Sequence, residues 1–246
     1  MGARLPVFPL GTVLFPGLVL PLHIFEERYR ELVRDLVALP DGTPREFGVV
    51  AIRRGWEVLP VTGPAGDLGD DDPRPAGSAT VGAAAVTLHD VGCTAELRQV
   101  TELADGRFDI VTVGRRRFRV GEVDADSTSY LTAEVDWLTE PPGQEALAEL
   151  LAPRVLATFG EYLRLLRPDT PDVIEQIPDD PTVLSHLVAA TASLTVEDRQ
   201  ELLAAADTAT RLRAELRLLS REAALLRRVR AVPVPLSELA GPVNPN

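Results

Sequence analysis

Lysine is absent: all 25 basic residues of this 246-residue chain are arginine. A P-loop needs a lysine on the phosphates, a Ser-Lys protease dyad needs one as base, and a Schiff-base enzyme needs the amine, so three enzyme classes are excluded. A GC-rich genome with biased codons accounts for the absence, and the exclusion holds whatever its origin. Cysteine is nearly absent as well. Cys93 alone allows neither an intramolecular disulfide nor a CxxC-type zinc site, which suits a reducing cytosol. Aromatic residues are 5% of the chain, too few for the interleaving of rings and basic groups that single-stranded nucleic acid favours. Uninterrupted apolar runs of about 18 residues, the length of a membrane span, are missing. Residues 5–25 imitate a secretory leader, but prolines at 6, 9, 16 and 21 would break its helix, and no small-x-small cleavage site follows before the charged run 26–30. A soluble, cytoplasmic protein with no membrane contact is expected.

What is present suffices for one large domain or two small ones. Hydrophobic residues are 45% and charged residues 25% of the chain, ordinary values for a globular protein. The net charge of −12 opposes general attraction to nucleic acid or anionic lipid. Apolar patterning divides the chain. Residues 5–8, 18–22, 47–53, 80–88, 95–101, 108–113, 117–120 and 130–138 read as short strands, several with period-two alternation. Asp105-Gly106 marks a hairpin. One early helix is predicted over 24–39, where Phe25, Tyr29, Leu32, Val33, Leu36 and Val37 recur at three- and four-residue spacing. Residues 63–78 hold Gly, Pro and Asp with almost nothing to bury, and predict a long mobile surface loop.

The run EPPGQ at 140–144 can continue neither pattern and is the best boundary. Helices are predicted beyond it: 145–166, with a possible break at Pro153; a helix opened by Asp180-Pro181 and running to about 193; one capped by Thr195 with Asp198; and a long one over 208–229. The expected fold class is therefore α+β, with a β-rich part over 1–140, a helical part over 141–232 and a tail over 233–246. The β part carries a net charge of −8 and the rest −4, yet 211–230 holds seven arginines and two glutamates. Such a helix is a solvated face, a partner dock or an RNA contact.

No catalytic constellation appears. GxSxG is missing, and Ser78 has no histidine near it in sequence. His23, His89 and His186 lack metal-ligand spacing, and Asp70, Asp71 and Asp72 lack the alternation of a calcium loop. Gly63, Gly66 and Gly69 sit among aspartates that would repel a dinucleotide's phosphates. Cys93 has no adjacent basic residue to activate it and reads as a packing residue. No cofactor and no metal are expected. Arg115, Arg116, Arg117 and Arg119 form the one basic cluster of the β part; on a regular strand 115, 117 and 119 would share one face, a short anion or RNA patch.

Residues 5–33, LPVFPLGTVLFPGLVLPLHIFEERYRELV, closely resemble the opening of the LON substrate-binding domain, the N-terminal domain of ATP-dependent Lon proteases. The likeness continues through Phe47-Gly48-Val49-Val50, Val91 to Leu97, Asp105-Gly106-Arg107, Gly114 and Arg117-Phe118-Arg119. It extends into the helices at Asp180-Pro181, Leu184-Ser185, Gln200 to Leu203 and Arg211-Leu212, so that it spans residues 4–229. Cys93 stands where such domains often have Thr. The chain also stops where the protease's ATPase module would begin, and without lysine it could carry neither a Walker motif nor a Ser-Lys dyad. A stand-alone, non-catalytic domain is the resulting expectation.

The resemblance implies a PUA-like β pseudo-barrel with one packed helix, followed by a helical bundle. It also implies a non-enzymatic polypeptide-binding or adaptor module linked to protein quality control. The partners it implies are an unfolded or tagged polypeptide, or a protein such as a protease. Binding of that kind needs an apolar groove, with an open strand edge as a further means of pairing. Phe15, Pro16, Leu18, Leu20 and Phe25 are the candidates for the groove, against their alternative as core. RNA binding is the second reading, because PUA-like barrels include RNA binders and arginines cluster at 115–119 and 227–230; the acidic balance opposes it.

Overall fold

The computed structural model describes residues 3–54, 80–81, 86–141, 143–166 and 178–229. The loop expected over 63–78 and the tail over 233–246 lie outside these residues. In chain order the elements are β1 (Ala3–Leu10), β2 (Val19–Ile24), α1 (Glu27–Ala38), β3 (Glu46–Arg54), β4 (Thr80–Val81), β5 (Val86–Leu88), β6 (Val91–Glu102), β7 (Phe108–Asp124), β8 (Leu131–Trp137), α2 (Glu145–Leu166), α3 (Pro181–Thr191), α4 (Val196–Ala204) and α5 (Thr208–Val229). The protein is thus a mixed structure, a β-rich sheet followed by helices.

Period-two apolar alternation makes the strands, and pairing order closes them. The sheet runs β1-β8-β7-β6-β3-β5-β4, and a parallel pairing of β1 with β3 joins the two ends of its first five strands into a ring. Inside it, Leu5, Val7, Val50, Leu88, Phe118, Ala133 and Val135 form one core. The Phe118 ring fills the centre because Gly48 and Gly92 leave room; a Cβ at either would come within 2.5 Å of its tip. Outside the ring, α1 lays Tyr29, Leu32, Val33 and Leu36 on a second core with Phe8, Phe15, Phe47 and Cys93. This is the helical period expected for it, although Val37 and Phe25 face solvent.

The two short strands expected at 108–113 and 117–120 are one continuous 17-residue strand, β7. Its bend is a bulge: Gly114 pairs with Ala95 and Arg117 with Cys93, so one extra residue of β7 faces Thr94. Helix α2 is unbroken at Pro153; Pro153 and Glu149, whose carbonyl it leaves without a helical partner, both lie on the exposed side of the helix. Asp180 caps α3 through the Thr182 and Val183 N–H groups, both at 2.9 Å, with Pro181 at the first helical position. Thr195 caps α4 through the Asp198 N–H.

The helices share their burial with the sheet. Ala189, Leu202, Leu203 and Leu218 belong to the core of α1 and β3, while Leu151, Val155, Phe159, Leu184 and Leu212 join α2, α3 and α5 in a core of their own. Among the described residues no helix is long and apolar enough to cross a membrane.

Candidate polypeptide-binding surface

Phe15-Pro16-Gly17-Leu18 turns the chain into β2. Proline in second place, a positive φ of 81° at Gly17 and the Leu18 N–H donating to the Phe15 carbonyl at 3.3 Å are the signature of a type II turn. The turn is bound to β7 by the Gly17 N–H on the Gly114 carbonyl, 2.8 Å, and the Gly114 N–H on the Leu18 carbonyl, 2.8 Å. It places the five candidate groove residues in three different settings. Phe15 is fully buried in the second core, its ring centroid 6.1 Å from that of His186, so it has no surface to offer a ligand and is corrected to a core residue. Pro16, Leu18 and Leu20 are half-buried, the two leucines packed on that core. Phe25, just past the end of β2, is 49% exposed, and Val19, on the outer face of β2, is 61% exposed.

Phe25 borders a hollow of about 60 Å3 whose apolar lining comes from Phe8, Leu10, Leu22, Ile24 and Tyr29, with His23 and Glu26 as its polar groups. Phe8 and Tyr29 stack at 3.9 Å, with the Arg28 guanidinium 4.4 Å over the Tyr29 ring and paired to Glu26. Phe8, Leu10, Leu22 and Tyr29 were not among the candidates. Their signal was present as the period-two run of β1 and the apolar stripe of α1, but nothing local shows that the end of β1 meets the start of α1.

Strand β2 pairs with β7 and, among the described residues, with no strand on its other side. The Gly114 N–H on the Leu18 carbonyl sets the phase, so Leu20, Leu22 and Ile24 turn their backbone groups to β7. Val19, Pro21 and His23 turn theirs to the open side. Pro21 has no N–H, and is tolerated because only the open side loses a donor. The same residue interrupts any strand laid along that edge.

The arginine cluster of β7 does not form a one-sided anion patch. The bulge at 115–116 resets the alternation that would have put 115, 117 and 119 on one face. Arg115 pairs with Glu96, and Arg116 pairs with Glu46 at 2.5 Å and lies 3.8 Å over the Trp137 ring. Arg119 is exposed. Arg117 is 2% exposed, which removes it from any anion or RNA contact. Its guanidinium donates to the Leu203 and Ala205 carbonyls at 2.6 Å and to Thr139 at 3.0 Å, and pairs with Glu140. These carbonyls include the C-terminal end of α4, where the helix dipole favours a cation.

From α5, the fully buried Arg211 donates to the Leu202 carbonyl at 3.0 Å, to Ser185 Oγ at 3.1 Å and to the other oxygen of Glu140 at 3.1 Å. One carboxylate thus joins a strand arginine to a helix arginine at the boundary read from EPPGQ. Burial raises the Glu140 carboxyl, but the facing His186, Arg211 and Arg117 outweigh it and hold the group at about 2. His186 is buried and its imidazole is pushed down by that burial. One turn beyond Arg211, Glu215 is 1% exposed, neither of its oxygens has a hydrogen-bond partner among the described residues, and burial raises it well above the ordinary carboxylate range.

Among the described residues no three His, Cys, Asp or Glu side chains converge where they could hold a metal ion. His23 is engaged by Asp109 at 2.6 Å and Arg107 at 3.1 Å, and burial pushes the Cys93 thiol far up, which removes thiolate chemistry.

The family described as the ATP-dependent protease La (LON) substrate-binding domain matches residues 4–221. Lon protease 2 of Myxococcus xanthus is 28% identical over 229 residues, which are 91% of this chain and 24% of that protein. Lon protease 2 of Herpetosiphon aurantiacus is 30% identical over 224 residues, 89% of this chain and again 24% of the relative. The chain spans about a quarter of the length of the curated relatives it matches. Among solved structures, the N-terminal domain of the Mycobacterium avium complex Lon protease superposes with a TM-score of 0.58 at 20% identity. The Lon N-terminal domain protein of Xanthomonas campestris gives 0.51 at 24%. Each covers 89% of this chain and 98% of the other; these likenesses bear on the fold alone. With 4–221 matched, the chain belongs to the LON substrate-binding domain family.

Proposed function

We propose that this chain is a non-enzymatic polypeptide-recognition module that takes an apolar side chain of an extended, non-native segment into the hollow beside Phe25. The observation that carries the reading is a half-exposed aromatic ring bordering an apolar depression of about 60 Å3. With about 10–15 Å3 per water-sized group, that depression of about 60 Å3 holds about four to six such groups, enough for a leucine or methionine side chain. Val19 and Leu20 extend the contact along β2, with Pro16 and Leu18 in the turn before it, and Pro21 shifts the burden from strand pairing to side-chain burial. The module is read as a PUA-like barrel over 1–140 carrying a docked helical bundle over 141–232. In a cytoplasmic setting it would hold or hand over clients, with a protease as its natural partner in quality control.

The test is fluorescence anisotropy of a labelled, permanently unfolded apolar polypeptide titrated with the protein at two salt concentrations, with a folded protein as control. Salt-tolerant saturation on the unfolded ligand alone, weakened by Phe25→Ser, is the expected result. No binding up to about 100 μM, equivalent to an affinity weaker than about −5.5 kcal/mol, overturns the reading.

A further inference from the structure

Helix α5 turns its apolar side, including Leu212, Leu219 and Ala223, into the helical core. The opposite side carries Arg213, Arg217, Arg221, Arg227 and Arg228, all exposed. At 100° per residue these five lie within one third of the helix circumference, with Ser220 and Ala224 between them. From Arg213 to Arg228 the stripe is about 22 Å long. Arg221 is held by Asp198 at 2.6 Å and Glu222 at 2.9 Å, and Arg227 by Glu161. Arg213, Arg217 and Arg228 have no ion pair or hydrogen bond among the described residues. The acidic residue that α5 carries toward its middle, Glu215, is buried away from them.

Like charges one turn apart cost an exposed helix stability, and here Arg213 and Arg217 stand unrelieved, one turn apart, on a chain of net charge −12. We infer that this face of α5 is a docking surface for an acidic polypeptide segment of another protein, with its carboxylates repeating at about one helical turn to match the guanidinium spacing. Guanidinium and carboxylate meet in a two-pronged fork, and the small Ser220 and Ala224 let a partner backbone approach between the arginines. Nucleic acid fits less well: the face offers no aromatic ring for a base to stack on, and a polyanion longer than the stripe would run against the acidic body. This surface is separate from the hollow beside Phe25, so it stands or falls independently of client recognition.

The test uses the full chain and a labelled glutamate-rich peptide with acidic residues every three or four positions, followed by anisotropy at low and high salt. Saturable, salt-sensitive binding is expected, at least about tenfold weaker in the triple variant Arg213→Gln/Arg217→Gln/Arg228→Gln and unchanged in Phe25→Ser. Circular dichroism and melting of the triple variant confirm the fold; should it be lost, Arg217→Glu alone serves, with a smaller loss in the same direction. Absence of binding overturns the proposal. So does equal or tighter binding of single-stranded RNA of the same length, or a self-association that the triple variant abolishes, which would make the face an interface between copies.

Discussion

The junction at Glu140 and the hollow beside Phe25 invert the ordinary partition of polar and apolar groups in opposite ways. At the junction two guanidiniums and a carboxylate are taken out of water; at the hollow an aromatic ring is left in it. The buried charges are tolerable because backbone carbonyls, a serine and Glu140 occupy the donors of Arg117 and Arg211. Among the described residues the exposed ring has only the His23 imidazole stacked beside it, 6.4 Å away between centroids. Buried polarity that is engaged is architecture, and exposed apolarity that is only partly covered is the place to look for a ligand.

The sharpest way to break that contrast is Arg117→Met, which nearly keeps the volume, leaves Glu140 with Arg211 and His186 alone, and strands three carbonyls. We expect a loss of about 3–5 kcal/mol in chemical denaturation; a loss below about 1 kcal/mol would show the junction to be dispensable. Glu215→Gln tests the one buried carboxyl, among the described residues, whose oxygens are not engaged. Its folded value is raised, so its contribution is complete below the ordinary carboxylate range and is lost as pH rises above it. The variant should gain about 1–3 kcal/mol at neutral pH and nothing near pH 4.

Glu140 has the opposite sign. Its folded value is about 2, so its support is complete above the ordinary carboxylate range and disappears as pH falls toward 2. An acid-unfolding midpoint that rises in Glu140→Gln toward that of other carboxylates checks it. The smallest structural effect belongs to Phe25→Ser: stability should stay within about 0.5 kcal/mol, while affinity for an unfolded apolar ligand falls several-fold.

What could be read from the sequence was local. Pro16-Gly17 declares its turn, Asp180-Pro181 and Thr195 declare their caps, and the stripe of α1 declares its buried face, because in each case the signal and its consequence lie within four residues. The direction of Arg117 could not be read that way. It depends on one extra residue of β7 standing opposite Thr94, a count made across two strands, and on the α4 carbonyls about 86 positions away. Phe15 failed as a groove residue for a related reason: an apolar side chain beside a turn is core or surface according to what packs on it, and here that is His186. The hollow needed the meeting of β1, β2 and α1, which no single segment encodes.

The ring of strands also sets an order of events on the ribosome. β1 lies between β3 and β8, and Arg4 bonds to Thr132, 128 positions further along. Of the described strands β1 is made first; its second half can pair with β3 early, but Ala3 to Pro6 have no strand partner until β8 has left the exit tunnel. A nascent chain paused before residue 131 would leave the start of β1, with Leu5 in it, without the neighbour that covers it in the folded protein.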